Sequence, residues 1–116
     1  MYDSDSRKLF SALSHGAIFL SSTVISIAVP ILILFTSQDP VVKGNAKEAI
    51  NFHLNVWLCG LIIGVLVWLT FGLLLPLGGI WLVLHWGLTI WALFHVLGVL
   101  GDSDKPFRYP FIFRVV

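Results

Sequence analysis

Residues 49–101 read AINFHLNVWLCGLIIGVLVWLTFGLLLPLGGIWLVLHWGLTIWALFHVLGVLG, 53 positions without one Asp, Glu, Lys or Arg. As one straight helix this stretch would be ~80 Å long, far beyond the roughly 30 Å hydrocarbon core of a bilayer. Two crossings joined by a turn fit it. The turn signal is Leu75-Pro76-Leu77-Gly78-Gly79, where Pro and paired Gly interrupt the apolar run. The spans then cover about Ile50–Leu74 and Ile80–Leu100. The turn carries no charge, so its tip lies shallow in the interface.

Upstream, Leu9–Gln38 is a second uncharged stretch of 30 residues, long enough for one crossing with ragged ends. Its core is placed at about 14–35. It is the most polar span, with Ser14, His15, Ser21, Ser22, Thr23 and Ser26, and Pro30 is expected to kink it. A secretory signal peptide is disfavoured there, because Asp3 and Asp5 offset Arg7 and Lys8 and the apolar run exceeds a signal core. The expectation is an all-α integral membrane protein. A single membrane domain, 1–116, holds three transmembrane helices in a small bundle. A short interfacial helix at about 40–49 and an extended interfacial tail at 102–116 complete it.

Composition agrees. Of the 116 residues 58% are hydrophobic and 11% charged, against roughly 25% charged in an ordinary soluble domain. So few charges cannot clothe a water-facing surface, and so rich an apolar content excludes disorder. Cys59 is the single cysteine, so no internal disulfide forms. A net charge of +1 makes no case for nucleic acid. Three crossings put the amino tail opposite the 39–48 loop and the carboxyl tail. Arg7 and Lys8 then face Lys43, Lys47, Lys105, Arg108 and Arg114. The positive-inside rule sets the amino terminus outside and the carboxyl terminus in the cytoplasm. A re-entrant first segment would change only the amino-terminal assignment.

Two segments carry the candidate site. Asp39-Pro40 suits a helix start, with Asp as cap and Pro in the first turn. Beyond it Lys43, Lys47, Asn51 and Asn55 recur every four residues, one polar stripe descending from the headgroups into the second span. Amides are costly against lipid, so Asn51 and Asn55 should face another helix or a wet crevice. The stripe reads either as interhelical glue with lysines on anionic lipid headgroups, or as a docking surface for a polypeptide. In the tail, Pro106 and Pro110 forbid a regular helix, and Phe107, Tyr109, Phe111 and Phe113 alternate with an extended period. Their rings are expected at headgroup depth, with Arg108 and Arg114 on phosphates. Gly60 and Gly64 form a small-xxx-small packing face.

No catalytic constellation appears. The carboxylates all lie outside the spans, and no metalloprotease, phosphate-loop or hydrolase motif is present. Cys59 has no neighbouring cation to activate it. Of the four histidines, His15 and His85 come level on spans one and three, which makes them the candidate axial ligands of a haem or chlorophyll. The default reading is no cofactor and ordinary interhelical hydrogen bonding.

Asp39-Pro40-Val41-Val42, then Asn45-Ala46-Lys47-Glu48-Ala49-Ile50-Asn51-Phe52-His53, then Asp104-Lys105-Pro106-Phe107-Arg108-Tyr109-Pro110-Phe111 resemble a family of small bacterial, cyanobacterial-type membrane proteins. That family is related to the small multi-span subunit of the chloroplast inner-envelope import translocon, the Tic machinery. The resemblance implies a helical membrane domain without catalytic residues, in a bacterial plasma or thylakoid membrane. Ala46, Lys47, Glu48, Asn51, Phe52, Arg108, Tyr109 and Pro110 match its motif positions. The expected function is a non-enzymatic, partner-binding accessory subunit of protein translocation. Its contact face would be Lys43, Lys47, Asn51, Asn55 and the Arg108-Tyr109-Pro110 tail. Its partners would be other membrane proteins or a second copy. The alternatives are a haem- or chlorophyll-binding helix unit and an oligomeric channel or small transporter.

Overall fold

A computed structural model describes residues 3–19 and 24–116, the side chains of Val24 and Ile25 excepted. Four α-helices follow in order: α1 (Ser4–Gly16), extended by a 3₁₀ turn at Ala17–Phe19, α2 (Val24–Thr36), α3 (Pro40–Leu69) and α4 (Pro76–Val96). No strand occurs among the described residues.

Helix α3 begins as the sequence suggests. The Asp39 carboxylate accepts the Val41 N–H at 2.9 Å, and Pro40 occupies the first turn. The helix then runs 30 residues without a break, so residues 40–49 are its opening turns rather than a separate interfacial helix. It ends earlier than expected. The Gly72 N–H bonds the Val67 carbonyl at 2.8 Å and the Phe71 N–H bonds Trp68 at 3.2 Å. This is a Schellman closure, and it puts Phe71 at φ 54° in the left-handed position usually given to Gly. Pro76 opens α4 instead of sitting inside the turn, because its missing N–H and fixed φ suit a helix start. The connection is therefore 70–75, and Gly78 and Gly79 are helical. Helix α4 closes on Gly98 at φ 83°, with Val99 N–H on Phe94 O at 2.9 Å and Gly98 N–H on His95 O at 3.0 Å.

Helices α3 and α4 are both long and apolar enough to cross a membrane. Only 17% of the apolar window of each is buried, which is how a lipid-facing helix differs from the core helix of a soluble protein. The third span expected at 14–35 does not form. That stretch divides into α1 with its 3₁₀ turn and α2, 13 residues each in the α-helical parts and too short to cross alone. Helix α1 starts beside Asp39 and carries Ile18 down to Phe52, while α2 brings Ile33 back against Val42 and Ala46. The division has a polar cause. Ser11, Ser14 and His15 are buried; the short re-entrant arrangement sets Ser11 and His15 against partners on α3 and the tail, while Ser14 donates to the Phe10 carbonyl of its own helix. Pro30 lies inside an unbroken α2, and Ser21, Ser22 and Thr23 fall outside the described residues.

Re-entry moves the amino end. Arg7 Nε donates to Asp39 Oδ2 at 2.7 Å and Arg7 Nη1 to Asp104 Oδ1 at 2.8 Å. The amino end thus shares one face with the 36–40 connection and the carboxyl tail, and the opposite-side placement expected from three crossings is corrected. The main apolar core lies under that face, built from Ile18, Phe52, Val56, Ala92, Val96, Phe107 and Tyr109. The far half of the α3–α4 hairpin exposes Leu61, Val65, Trp68, Leu73 and Val83.

Candidate functional site

On α3, Asn45, Glu48, Phe52 and Asn55 recur at three- and four-residue intervals and share one face, with Asn51 beside them. The carboxyl tail lies against that face as a strap. An extended strap cannot satisfy its own main chain, so the helix side chains do it. The Phe107 N–H donates to Asn45 Oδ1 at 2.9 Å and the Tyr109 N–H to Glu48 Oε1 at 2.7 Å. The strap turns at Pro110-Phe111, where Phe111 adopts φ 57°. Asn55 then takes both main-chain groups of Phe113, accepting its N–H at 2.9 Å and donating to its carbonyl at 2.7 Å. The Val115 and Val116 N–H groups end on Asn51 Oδ1 at 2.7 and 2.9 Å. Arg114 Nη2 pairs with Glu48 Oε1 at 2.7 Å and donates to the Tyr109 carbonyl at 2.7 Å, which closes the loop. Close approach is allowed at Gly44, where a Cβ would stand 2.5 Å from Pro106 Cγ.

Beneath the strap lies a buried chain of polar groups. The Tyr109 ring stacks on Phe52 with centroids 3.9 Å apart and 7° between planes. Its hydroxyl meets His15 Nδ1 at 2.8 Å, and His15 Nε2 meets Asn45 Oδ1 at 2.8 Å. The protons can be assigned. Asn45 Oδ1 also takes a main-chain N–H, so it is an acceptor; His15 therefore carries its proton on Nε2 and accepts the tyrosine proton on Nδ1. Asn45 Nδ2 completes the set on Ser11 Oγ at 3.0 Å and the Val41 carbonyl at 3.1 Å. Burial drives the His15 pKa down to about 4 and pushes the Tyr109 hydroxyl well above its ordinary value, so both are neutral at ordinary pH. At the rim, burial alone would raise the Asp39 carboxyl. Arg7 and the Val41 N–H outweigh it and hold the group below the usual carboxylate range.

The two segments singled out in sequence do meet, but they meet each other. Glu48, Asn51, Phe52, Asn55 and Tyr109 are occupied within the chain, and Pro110 sits half-buried at the strap's turn. Ala46 packs under α2. The four-residue stripe divides by depth: Lys43 and Lys47 are exposed, as is Arg108, while Asn51 is buried. Phe107 and Tyr109 are core residues rather than headgroup rings, and Arg114 binds Glu48 rather than phosphate. Only half of the small-residue pair packs: a Cβ at Gly60 would lie 3.1 Å from the Trp81 ring, while Gly64 faces open space. His15 has both ring nitrogens engaged and cannot be an axial ligand. His85 donates Nδ1–H to the Trp81 carbonyl at 2.9 Å. The pair proposed for haem or chlorophyll is not a ligand pair. Sequence reading missed Asn45, the hub of the network, although its three-residue spacing to Glu48 marked it. It also missed Arg7.

Such a fold and such a strapped polar ladder define a small helical membrane protein held together at one face. The chain belongs to the MamF/MmsF family, the magnetosome magnetite crystal formation protein family, whose model matches residues 6–116. No curated protein and no solved structure matches it. This family assignment overturns the resemblance to the Tic import translocon. It also overturns the reading as a protein-translocation subunit. The motif residues that suggested a translocon have a local explanation, since Glu48, Asn51, Phe52 and Tyr109 are needed to bind the strap.

Proposed function

We propose that this chain is a non-enzymatic membrane component of the magnetosome, acting in magnetite crystal formation through protein contacts made at its charged face. The observation that carries the reading is one-sidedness. The seven Lys and Arg and six Asp and Glu of the chain belong to the amino end, the opening of α3 and the tail, while the far tip is the uncharged 70–75 turn. Acidic groups able to hold iron at a mineral surface are missing from that tip, so the tip is an unpromising mineral contact. The positive-inside rule assigns the charged face to the cytoplasm, together with both ends of the chain. Lys43, Lys47 and Arg108 remain exposed there and form the proposed contact set, for other membrane proteins or a second copy, with anionic headgroups at its edge.

The test is genetic. The gene is deleted from its magnetosome-forming cell and restored either intact or as the Lys43→Ala, Lys47→Ala, Arg108→Ala triple variant. Deletion should alter crystal size or number in electron micrographs, and the triple variant should insert normally but fail to restore them. Unchanged crystals on deletion would refute the role. Full rescue by the triple variant would refute the contact set.

A further inference from the structure

We propose that the molecule is a wedge in the bilayer that favours a curved lipid surface with its charged face on the convex side. The inference rests on the two-span membrane reading and needs nothing from the role in crystal formation. Its basis is an unequal distribution of helices with depth. From Pro40 to Val56, roughly 24 Å of axis, α3 is flanked by α1 and α2, α4 is flanked by α1, and the strap covers α3. Among the described residues the flanking pair reaches one level: Ile18 packs on Phe52, and Phe19 meets Trp86 with ring centroids 5.9 Å apart. Beyond that level α3 continues to Leu69, roughly 20 Å further, and among the described residues its Leu61, Val65, Trp68 and Leu69 are exposed there. The long dimension of the molecule is 55 Å, against 27 and 22 Å across.

A bilayer with its headgroups is about 40–45 Å thick, close to the length of α3, so a step roughly 24 Å from the charged end falls near the midplane. Each helix with its side chains is about 10–12 Å wide. Four helices and a strap in one leaflet therefore displace at least about twice the area that two displace in the other. The flanking pair belongs in lipid rather than in water, because its outer surface is apolar: Leu9, Leu13, Leu32 and Phe35 are all exposed. Added area in one leaflet is relieved when that leaflet becomes the outer one of a small vesicle, and binding of such inclusions is curvature-sensitive.

The experiment uses the full chain with Cys59→Ala and a reporter cysteine at exposed Asp102 (Asp102→Cys). The protein is reconstituted into phosphatidylcholine–phosphatidylglycerol vesicles of ~30 nm and ~400 nm diameter, sizes that bracket strong and weak curvature. A membrane-impermeant maleimide then reads the fraction of charged faces pointing outward. The wedge predicts an outward-to-inward ratio at least severalfold higher in the small vesicles, and mean vesicle diameter falling as protein is added. Protein that inserts, resists alkaline carbonate and shows the same ratio at both sizes overturns the wedge and leaves the membrane reading intact. Protein that carbonate strips from the vesicles overturns both.

Discussion

His15 and Tyr109 lie 94 positions apart and share a buried hydrogen bond of 2.8 Å, with the tyrosine hydroxyl donating to the imidazole Nδ1. The bond joins the first helix to the carboxyl-terminal strap across α3. Through Asn45 it also ties both to the third helix. The protonation state of one ring therefore bears on three elements at once.

The folded protein holds the His15 pKa near 4, below its unfolded value of 6.5. Above pH 6.5 both states are neutral and stability is full. As pH falls from 6.5 toward 4, the unfolded chain binds a proton that the folded one refuses, so stability declines by about 3 kcal/mol in all. Below 4 this contribution is flat. Chemical unfolding in detergent between pH 7 and 4 should show the decline, and His15→Gln should remove most of it. An unchanged slope in the variant would mean another group is responsible.

Asn45 should be the most sensitive position of the ladder. Asn45→Ala leaves the Phe107 N–H and His15 Nε2–H buried without acceptors. A cost of about 2–5 kcal/mol is expected for two such groups. Lys47→Ala, at an exposed site, should stay within about 0.5 kcal/mol. Denaturation midpoints of the two variants measure the contrast.

Glu48→Ala strips the strap of its charged anchor, taking both Arg114 and the Tyr109 N–H. The expected loss is about 1–3 kcal/mol, since the buried Tyr109 N–H loses its acceptor while the part-exposed Arg114 keeps the Tyr109 carbonyl. The tail should become cleavable by protease at Arg108 and Arg114 at concentrations that spare the parent protein.

Strap contact can also be tested sterically. Gly44→Ala must displace Pro106 and should cost about 1–3 kcal/mol, whereas Gly64→Ala, in open space, should cost nothing. Equal effects at the two glycines would show that the strap does not press on α3 as described.

Topology offers the quickest check. Reporters fused at the two ends should read the same side of the membrane, as the Arg7–Asp104 ion pair requires. Opposite readings would restore a third crossing in place of the re-entrant pair.

The hairpin was legible in the sequence because the uncharged run from Ala49 to Gly101 is too long for one crossing and is interrupted at Pro76, and it forms two helices joined by a turn. The Asp39-Pro40 start was legible because a cap is local chemistry. The first segment was not. Its length fits one crossing, and what divides it is a long-range demand, the bonding of His15 to Asn45 and Tyr109, which no window along the chain reveals. The stripe Lys43, Lys47, Asn51 and Asn55 was periodic enough to notice. Period alone could not say that Asn51 and Asn55 would bind the chain's own tail. The translocon resemblance rested on these same residues, and their role in binding the strap is one that unrelated functions can share.

The ladder of Asn45, Glu48, Asn51 and Asn55 grips main-chain amides, groups that every residue except proline supplies alike. Outward-pointing positions such as Arg108 and Phe113 can therefore be exchanged freely without loosening the grip. Paralogues built on the same four anchors could wear quite different recognition surfaces, each tuned to its own neighbour, on a single unaltered chassis.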